Sequence, residues 1–192
     1  MMNRCAAFQA LDIRHFLPTF RPVSCHQLTM FPPADVKETV QKIADLLVER
    51  GETIAVSESA CGGLISAYLV SVPGASRYYH GGTLTYSLKS RLKLSGWEQQ
   101  DIDSYTGPSE AVATRLARNL KIELASTYTL SETGWAGPTS MGQPVGTFYV
   151  GIAGPKGEVS VVRDTGCQDR EANMQQFARE ALEFFLEYLQ RD

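Results

Sequence analysis

Glycine and proline punctuate the chain so regularly that short apolar strands and amphipathic helices alternate along most of its length. The first helical segment follows residue 33, where Asp35 can cap it, and Gly51 can end it. Four apolar side chains recur at helical spacing and share one face: Val36, Val40, Ile43 and Leu47. A helix with one apolar face is expected to pack against another layer of secondary structure.

The same alternation continues to the C-terminus. Strands are predicted at residues 53–56, 82–86, 127–133, 145–153 and 158–164, and helices at 64–70, at 88–94, from Gly107-Pro108 onward and around Phe177. The last two strands flank Pro155-Lys156-Gly157, which is typical of a β-hairpin turn. Because helices separate the other strands, the pattern predicts an α/β fold, a three-layer α/β/α sandwich whose mixed sheet has helices on both faces.

Charge and cysteine content exclude several classes of protein. Among 192 residues, 18 are Lys or Arg and 21 are Asp or Glu, so the net charge of −3 gives no strong positive field for nucleic acid. No run reaches the roughly 18 apolar residues of a membrane-spanning helix, so no membrane partner is expected. The spacing of the four cysteines, Cys5, Cys25, Cys61 and Cys167, predicts neither a zinc site nor a disulfide framework. We therefore expect a reducing, cytoplasmic location.

Residues 1–33 differ in composition from residues 34–192, and we predict them to be an extension of a single domain. The extension has one acidic residue and three arginines, Arg4, Arg14 and Arg21. Such a composition is compatible with a mitochondrial targeting segment, but Pro18 and Pro22 would break a long amphipathic helix. A disordered extension, or an upstream start codon before a true start at Met30, is the favoured interpretation.

The first loop with candidate chemistry is the segment at residues 57–63, which follows a predicted strand and opens a helix. Its backbone N–H groups can bind an anion or a developing oxyanion. Ser59 is the better candidate nucleophile, because Ser57 still belongs to the strand end. Local spacing alone favours a simpler role, in which one of these serines caps the helix. For Cys61, nothing nearby in sequence lowers the thiol pKa, and buried packing is predicted.

The second loop, residues 132–138, also follows a predicted strand. Its glycines, Gly134 and Gly137, let the backbone approach a ligand closely, and open α/β sheets bind ligands at the carboxyl ends of strands. Trp135 either stacks on a ligand ring or closes the core. Glu132 either orients a polar ligand group or is an exposed acid without a role.

Six blocks of the sequence, in this order, resemble those of the CinA C-terminal family. They are SESACGG (57–63), VPGAS (72–76), GGTLTYS (81–87), GPSE (107–110), TGWAGP (133–138) and PVGT (144–147). The resemblance runs from about residue 36 to 189. It implies an α/β/α sandwich that acts as a nicotinamide-nucleotide amidase, hydrolysing the carboxamide of nicotinamide mononucleotide to nicotinate mononucleotide and ammonia. It also implies that no metal or other cofactor is needed and that copies of the chain associate.

The resemblance further implies catalytic roles. The family's nucleophilic serine falls on Ser59 and its tyrosine on Tyr86, but the position of its lysine base is occupied by Arg91. Arginine stays protonated and cannot accept the serine proton, although it can stabilise a tyrosinate or an oxyanion. Tyr86 would then act as the base with the help of the Arg91 charge. Lys89 and Lys93 lie on the opposite helix face and do not replace the missing lysine.

Substrate contacts are predicted around both loops. The N–H groups near Gly62 and Gly63 would hold the oxyanion, and the Gly134 and Gly137 segment would line the nucleotide pocket. Arg170 would contact the phosphate or be exposed at the surface. The full set of predicted substrate-binding residues is Glu58, Gly62, Gly63, Thr133, Gly134, Gly137 and Arg170.

Three functions follow as hypotheses. The first is an amidohydrolase that acts on nicotinamide mononucleotide. The second is a nucleotide-binding module on the same fold whose catalysis is weakened, because the expected lysine is Arg91. The third is an amidohydrolase with a different substrate, because the loop at residues 137–144 is shorter than in the family and lacks its diglycine.

Overall fold

The computed structural model describes residues 31–191, and the predictions made for residues 1–30 lie outside this range. The helices and strands are α1 (Ala34–Arg50), β1 (Ile54–Glu58), α2 (Leu64–Val70), β2 (Tyr79–Leu84), α3 (Leu88–Leu94), α4 (Gln99–Asp103), α5 (Glu110–Leu124), β3 (Tyr128–Gly134), β4 (Thr147–Gly154), β5 (Gly157–Asp164) and α6 (Arg170–Arg191). A short 3-10 helix, Ala75–Arg77, precedes β2. Within this range, no helix has the length and apolarity to span a bilayer.

The five strands form one mixed sheet in the order β2-β1-β3-β4-β5. Strand β1 is parallel to both of its neighbours, and β4 is antiparallel to both β3 and β5. The register pairs Ser57 with Ser131 and Glu58 with Leu84. The ends of β1, β2 and β3 therefore lie side by side, and the loops that follow them meet at one edge of the sheet.

Helices cover both faces of this sheet, as predicted. Leu130 belongs to the apolar core together with Phe177 and Phe185 of α6. The next residue, Ser131, points the other way and donates a hydrogen bond to the carbonyl of Ala113 in α5. Helices α1, α2 and α6 contact one another and form one layer, while α5 packs across the sheet on the other side. The three-layer α/β/α sandwich is confirmed.

Several predicted element boundaries are confirmed, and others are wrong. Gly51 ends α1 in the left-handed conformation, with φ of 66°, as expected. Asp35 does not cap α1, because the helix already begins at Ala34 and the cap position is Pro33. Helix α5 begins after Gly107-Pro108, since the Ser109 hydroxyl accepts the Val112 N–H and fixes the first turn. Strand β2 ends at Leu84, which leaves the following tyrosine in a loop.

Candidate active site

A cavity of about 300 Å³ lies where the loops after β1, β2 and β3 meet. This volume is at the lower end of the range for small-molecule sites. Most of the residues that the sequence singled out border this cavity: Ser59, Tyr86, Arg91, Thr133, Gly134, Gly137 and Arg170. The wall also contains Ala60, Tyr105, Pro108, Trp135, Ala136, Thr139 and Met141.

Ser59 is held at the cavity wall by three hydrogen bonds. Its hydroxyl donates to the Thr85 carbonyl at 3.2 Å and accepts from Nη2 of Arg91 at 3.2 Å. Its backbone N–H donates to Oε2 of Glu132 at 3.2 Å. Ser57, in contrast, accepts a hydrogen bond from the Thr83 hydroxyl within the sheet. Neither hydroxyl caps α2, so the interpretation of these serines as simple helix caps is wrong.

Arg91 extends from α3 and is almost completely buried, with 3% of its surface exposed. Its Nη2 donates to the hydroxyls of Ser59 and Thr133, at 3.2 and 3.0 Å. The guanidinium also lies over the rings of Trp97 and Tyr105, at 5.3 and 5.0 Å from their centroids. Its Nη1 has no hydrogen-bond partner, and no ion pair joins it to an acidic residue of the described range. A buried cation without a counter-charge is costly, so this side of the cavity favours an anion.

Tyr86 is not paired with Arg91, which corrects the sequence prediction. The phenol is 65% exposed and accepts a hydrogen bond from Nη2 of Arg170 at 2.8 Å. The other arm of Arg170 donates to the Gly137 carbonyl, so this side chain joins α6 to the second loop. The tyrosine beside Arg91 is Tyr105. Burial raises the pKa of Tyr105, and the positive charge of Arg91 partly offsets this rise.

Glu58 lies outside the cavity wall, and its predicted contact with substrate is corrected by the structure. Its carboxylate accepts the N–H groups of Gly63 and Ile65 at 3.0 Å, and both the N–H and the hydroxyl of Ser66 at 2.8 and 2.6 Å. These groups are the unpaired donors at the start of α2, so the carboxylate serves as the cap of that helix. A buried glutamate, 1% exposed, therefore fixes the helix that follows the Ser59 loop.

The predicted oxyanion donors are also wrong. The N–H of Gly63 is committed to Glu58, and the N–H of Gly62 donates to the Ser59 carbonyl. Neither glycine borders the cavity. The N–H of Ala60 donates to no group in residues 31–191, and Ala60 does border the cavity. This loop thus has an N–H without a partner among these residues, one position after Ser59.

Glu132 is a buried residue whose importance the sequence did not reveal. Its Oε2 accepts the N–H groups of Ser59 and Cys61, at 3.2 and 2.9 Å. Burial raises its pKa to about 7, and the nearby Glu58 carboxylate adds to this effect, while the two N–H groups oppose it. The interpretation as an exposed acid is wrong. Burial also raises the pKa of the Cys61 thiol well above its usual value, which disfavours a reactive thiolate.

The raised pKa of Glu132 predicts a pH-dependent stability. The folded chain binds this proton more tightly than the unfolded chain, so stability present below pH 4.5 is lost as the pH rises toward 7. We expect Glu132→Gln to remove roughly 2–3 kcal/mol of the difference in free energy of unfolding between pH 5 and pH 8. Urea unfolding at both pH values measures this difference. The exposed Glu123→Gln is the matched control, and an equal pH dependence in all three proteins would contradict the prediction.

Two larger cavities lie elsewhere in the described part of the chain. One, of about 430 Å³, is bordered by Asp35, Asp169 and Glu171 at the starts of α1 and α6, and its acidic wall disfavours an anionic ligand. The other, of about 560 Å³, lies beside β2 and α5, with His80, Lys93, Asn119 and Glu123 in its wall. Between residues 31 and 191, no group of three or more His, Cys, Asp and Glu side chains is placed to hold a metal ion. Of these three cavities, only the one of about 300 Å³ combines the candidate nucleophile Ser59 with the buried cation Arg91.

Comparison with known proteins identifies relatives of this chain. A CinA-like protein of Nostoc punctiforme is 42% identical over 120 residues, which cover 62% of this chain and 29% of that protein. A CinA-like protein of Chlorobium limicola is 36% identical over 161 residues, which cover 81% of this chain and 37% of that protein. The chain therefore spans only 29% and 37% of the length of these two relatives.

Solved structures share the same fold. The competence/damage inducible protein CihA of Agrobacterium tumefaciens superimposes with a TM-score of 0.77 at 23% identity, covering 83% of this chain and 98% of that one. A competence or damage-inducible protein of Enterobacter asburiae gives a TM-score of 0.75 at 20% identity, covering 80% and 98%. The family described as the CinA C-terminal domain matches residues 36–189, which include the whole candidate site, and the chain belongs to this family.

Proposed function

We propose that the chain is an amidohydrolase that hydrolyses the carboxamide of nicotinamide mononucleotide, or of a close analogue, to the acid and ammonia. The observation that supports this proposal most strongly is the position of the Ser59 hydroxyl. It lies in the wall of a cavity at the carboxyl edge of the sheet, in contact with the guanidinium of Arg91. A hydroxyl beside a fixed positive charge suits attack on a carbonyl whose oxygen becomes negative.

The reaction would proceed through an ester of Ser59. Its Oγ forms a bond to the carboxamide carbon, and the carbonyl electrons move to the oxygen, where Arg91 and the Ala60 N–H would stabilise the charge. The C–N bond then breaks, and the nitrogen leaves as ammonia after it takes up the serine proton. Water hydrolyses the ester, which releases the acid and restores the hydroxyl.

The serine proton has no side-chain acceptor in contact with it among the described residues. The hydroxyl donates to the Thr85 carbonyl, which is not a base, and Arg91 stays protonated. Tyr86 lines the same cavity, and its phenol oxygen accepts a hydrogen bond from Arg170. We assign a proton relay to this phenol, in which its oxygen takes the Ser59 proton while its own proton passes to the leaving nitrogen. Arg170 would also hold the nucleotide phosphate, because it contributes a second guanidinium to the cavity wall.

The lack of a side-chain base beside the Ser59 hydroxyl favours a second candidate function, a nucleotide-binding module with little or no turnover. A lysine at position 91 could lose its proton to solvent and act as a base, whereas arginine cannot. The fold and the cavity would then serve recognition of the nucleotide alone.

Ammonia release from nicotinamide mononucleotide by the full chain, with thermal shift followed in parallel, tests the proposal. We expect ammonia release together with a rise in Tm on adding the nucleotide, because a ligand that binds only the folded state stabilises it. A rise in Tm without ammonia would support the binding module. The absence of both responses would contradict both functions for this nucleotide.

A further inference from the structure

We propose that Arg91 makes the cavity a receptor for a planar carboxylate, so that the site binds the acid of an acid–amide pair more tightly than the amide. This inference rests on the proposed function, in which the acid is the product and the amide is the substrate. It names the group that the deep end of the cavity recognises, and it predicts an enzyme that its own product inhibits.

The first support is the charge of the cavity wall. The wall contains two guanidinium groups, Arg91 and Arg170, and no aspartate or glutamate among its described residues. The chain as a whole has a net charge of −3, so this concentration of positive charge is local. Electrostatic complementarity of this kind selects anionic ligands.

The second support is the set of hydrogen-bond donors around Arg91. Its Nη2 donates to Ser59 and Thr133, and its Nε donates to the Thr85 carbonyl at 3.4 Å. Nη1 is buried beside Tyr105 and has no partner within hydrogen-bond distance in residues 31–191. The Ser59 hydroxyl hydrogen is already directed to the Thr85 carbonyl. A carboxylate offers two acceptor oxygens to a guanidinium, and such charge-assisted bonds are the strong ones. A carboxamide offers one oxygen, and its NH₂ group would face donors that cannot accept it.

The third support is the rigidity of the guanidinium. Trp97 and Tyr105 pack against it, and the contacts to Ser59 and Thr133 fix its plane. A group held in this way loses little conformational entropy when a ligand binds. The planar guanidinium of arginine can also bond both oxygens of a carboxylate at once, which the ammonium group of lysine does less well.

Isothermal titration tests this inference with nicotinate mononucleotide and nicotinamide mononucleotide as the probes. Ser59→Ala is the common background, because it prevents turnover of the amide. We expect this variant to bind the acid at least about tenfold more tightly than the amide. Equal affinities would overturn the inference, and so would a failure of both nucleotides to bind.

Additional substitutions in the same background identify the group that Arg91 contacts. Arg91→Gln should weaken acid binding at least about tenfold and change amide binding less than about threefold, which removes the preference. Arg170→Gln should weaken both ligands equally, because the phosphate is common to both. The exposed Arg163→Gln should change neither. An equal loss of both ligands in Arg91→Gln would overturn the inference, since Arg91 would then hold the phosphate.

Two further results keep the inference separate from the proposed function. If Arg91→Gln does not fold, Arg91→Lys retains the charge and should still bind the acid more tightly, and an inverted preference would overturn the inference. If the native chain binds the acid preferentially but releases no ammonia, the inference holds and the proposed hydrolysis fails.

Discussion

Ser59→Ala is expected to lower ammonia release from nicotinamide mononucleotide at least about 1000-fold, because the substitution removes the atom that forms the ester. The fold should be retained. The lost hydroxyl makes two hydrogen bonds, a neutral one to the Thr85 carbonyl and a charge-assisted one from Arg91. The first contributes about 1 kcal/mol and the second about 1.5–3 kcal/mol. Steady-state ammonia release and thermal unfolding, measured on the same preparation, separate loss of activity from loss of structure.

Ser57→Ala is the matched control for this prediction. Ser57 is buried two residues earlier in the same segment, but its hydroxyl bonds to Thr83 within the sheet and does not border the cavity. We expect its ammonia release to stay within about threefold of the native value, because only a sheet contact is lost. Comparable activity of the two variants would show that Ser59 is not the nucleophile.

Glu58→Ala should cause the largest loss of stability, about 3–5 kcal/mol in the free energy of unfolding. Its carboxylate satisfies four donors of Gly63, Ile65 and Ser66, and Glu58 itself is only 1% exposed. Removing the acceptor leaves these donors unpaired at the start of α2. The corresponding fall in Tm is about 10 °C for a chain of this size. Urea unfolding followed by circular dichroism measures the effect.

The control for Glu58 is a second glutamate at a helix start. Glu98 occupies the cap position of α4, and its N–H donates to the Asp101 carboxylate, but Glu98 is exposed and the helix is only five residues long. Glu98→Ala is therefore expected to cost about 1 kcal/mol, as a typical exposed cap does. An equal loss of stability in both variants would show that burial does not increase the contribution of the Glu58 hydrogen bonds.

Local signals in the sequence were enough to predict much of the fold. Helices α2 and α3 begin and end where glycine, proline and apolar spacing placed them, at Leu64–Val70 and Leu88–Leu94. The sequence also favoured Ser59 over Ser57 as the nucleophile, because Ser57 belongs to the strand end, and the alternation of side chains along a strand can be read locally. Helix α4, by contrast, was not predicted, since its five residues lack an apolar stripe of their own.

The contacts that organise the site could not be predicted in the same way, because they join distant parts of the chain. Glu132 reaches the Ser59 N–H only because β1 and β3 are parallel neighbours, with Ser57 opposite Ser131. The sequence did contain one signal of this contact. A Ser-Glu pair occurs in each of the two strands, as Ser57-Glu58 in β1 and Ser131-Glu132 in β3. Likewise, the family resemblance implied that Tyr86 acts beside Arg91, whereas the fold brings Arg170 to Tyr86 across 84 positions.

A crystal structure of Ser59→Ala with bound nicotinamide mononucleotide tests most directly that the cavity between Ser59 and Arg170 is the site of amide hydrolysis. We expect the carboxamide carbon within about 3.5 Å of the position of the missing hydroxyl, and the phosphate against Arg170. We also expect the carboxamide oxygen within hydrogen-bond distance of Arg91 or the Ala60 N–H. A nucleotide bound in the cavity beside His80 and Lys93, or bound with its amide directed away from residue 59, would show that amide hydrolysis does not occur at Ser59.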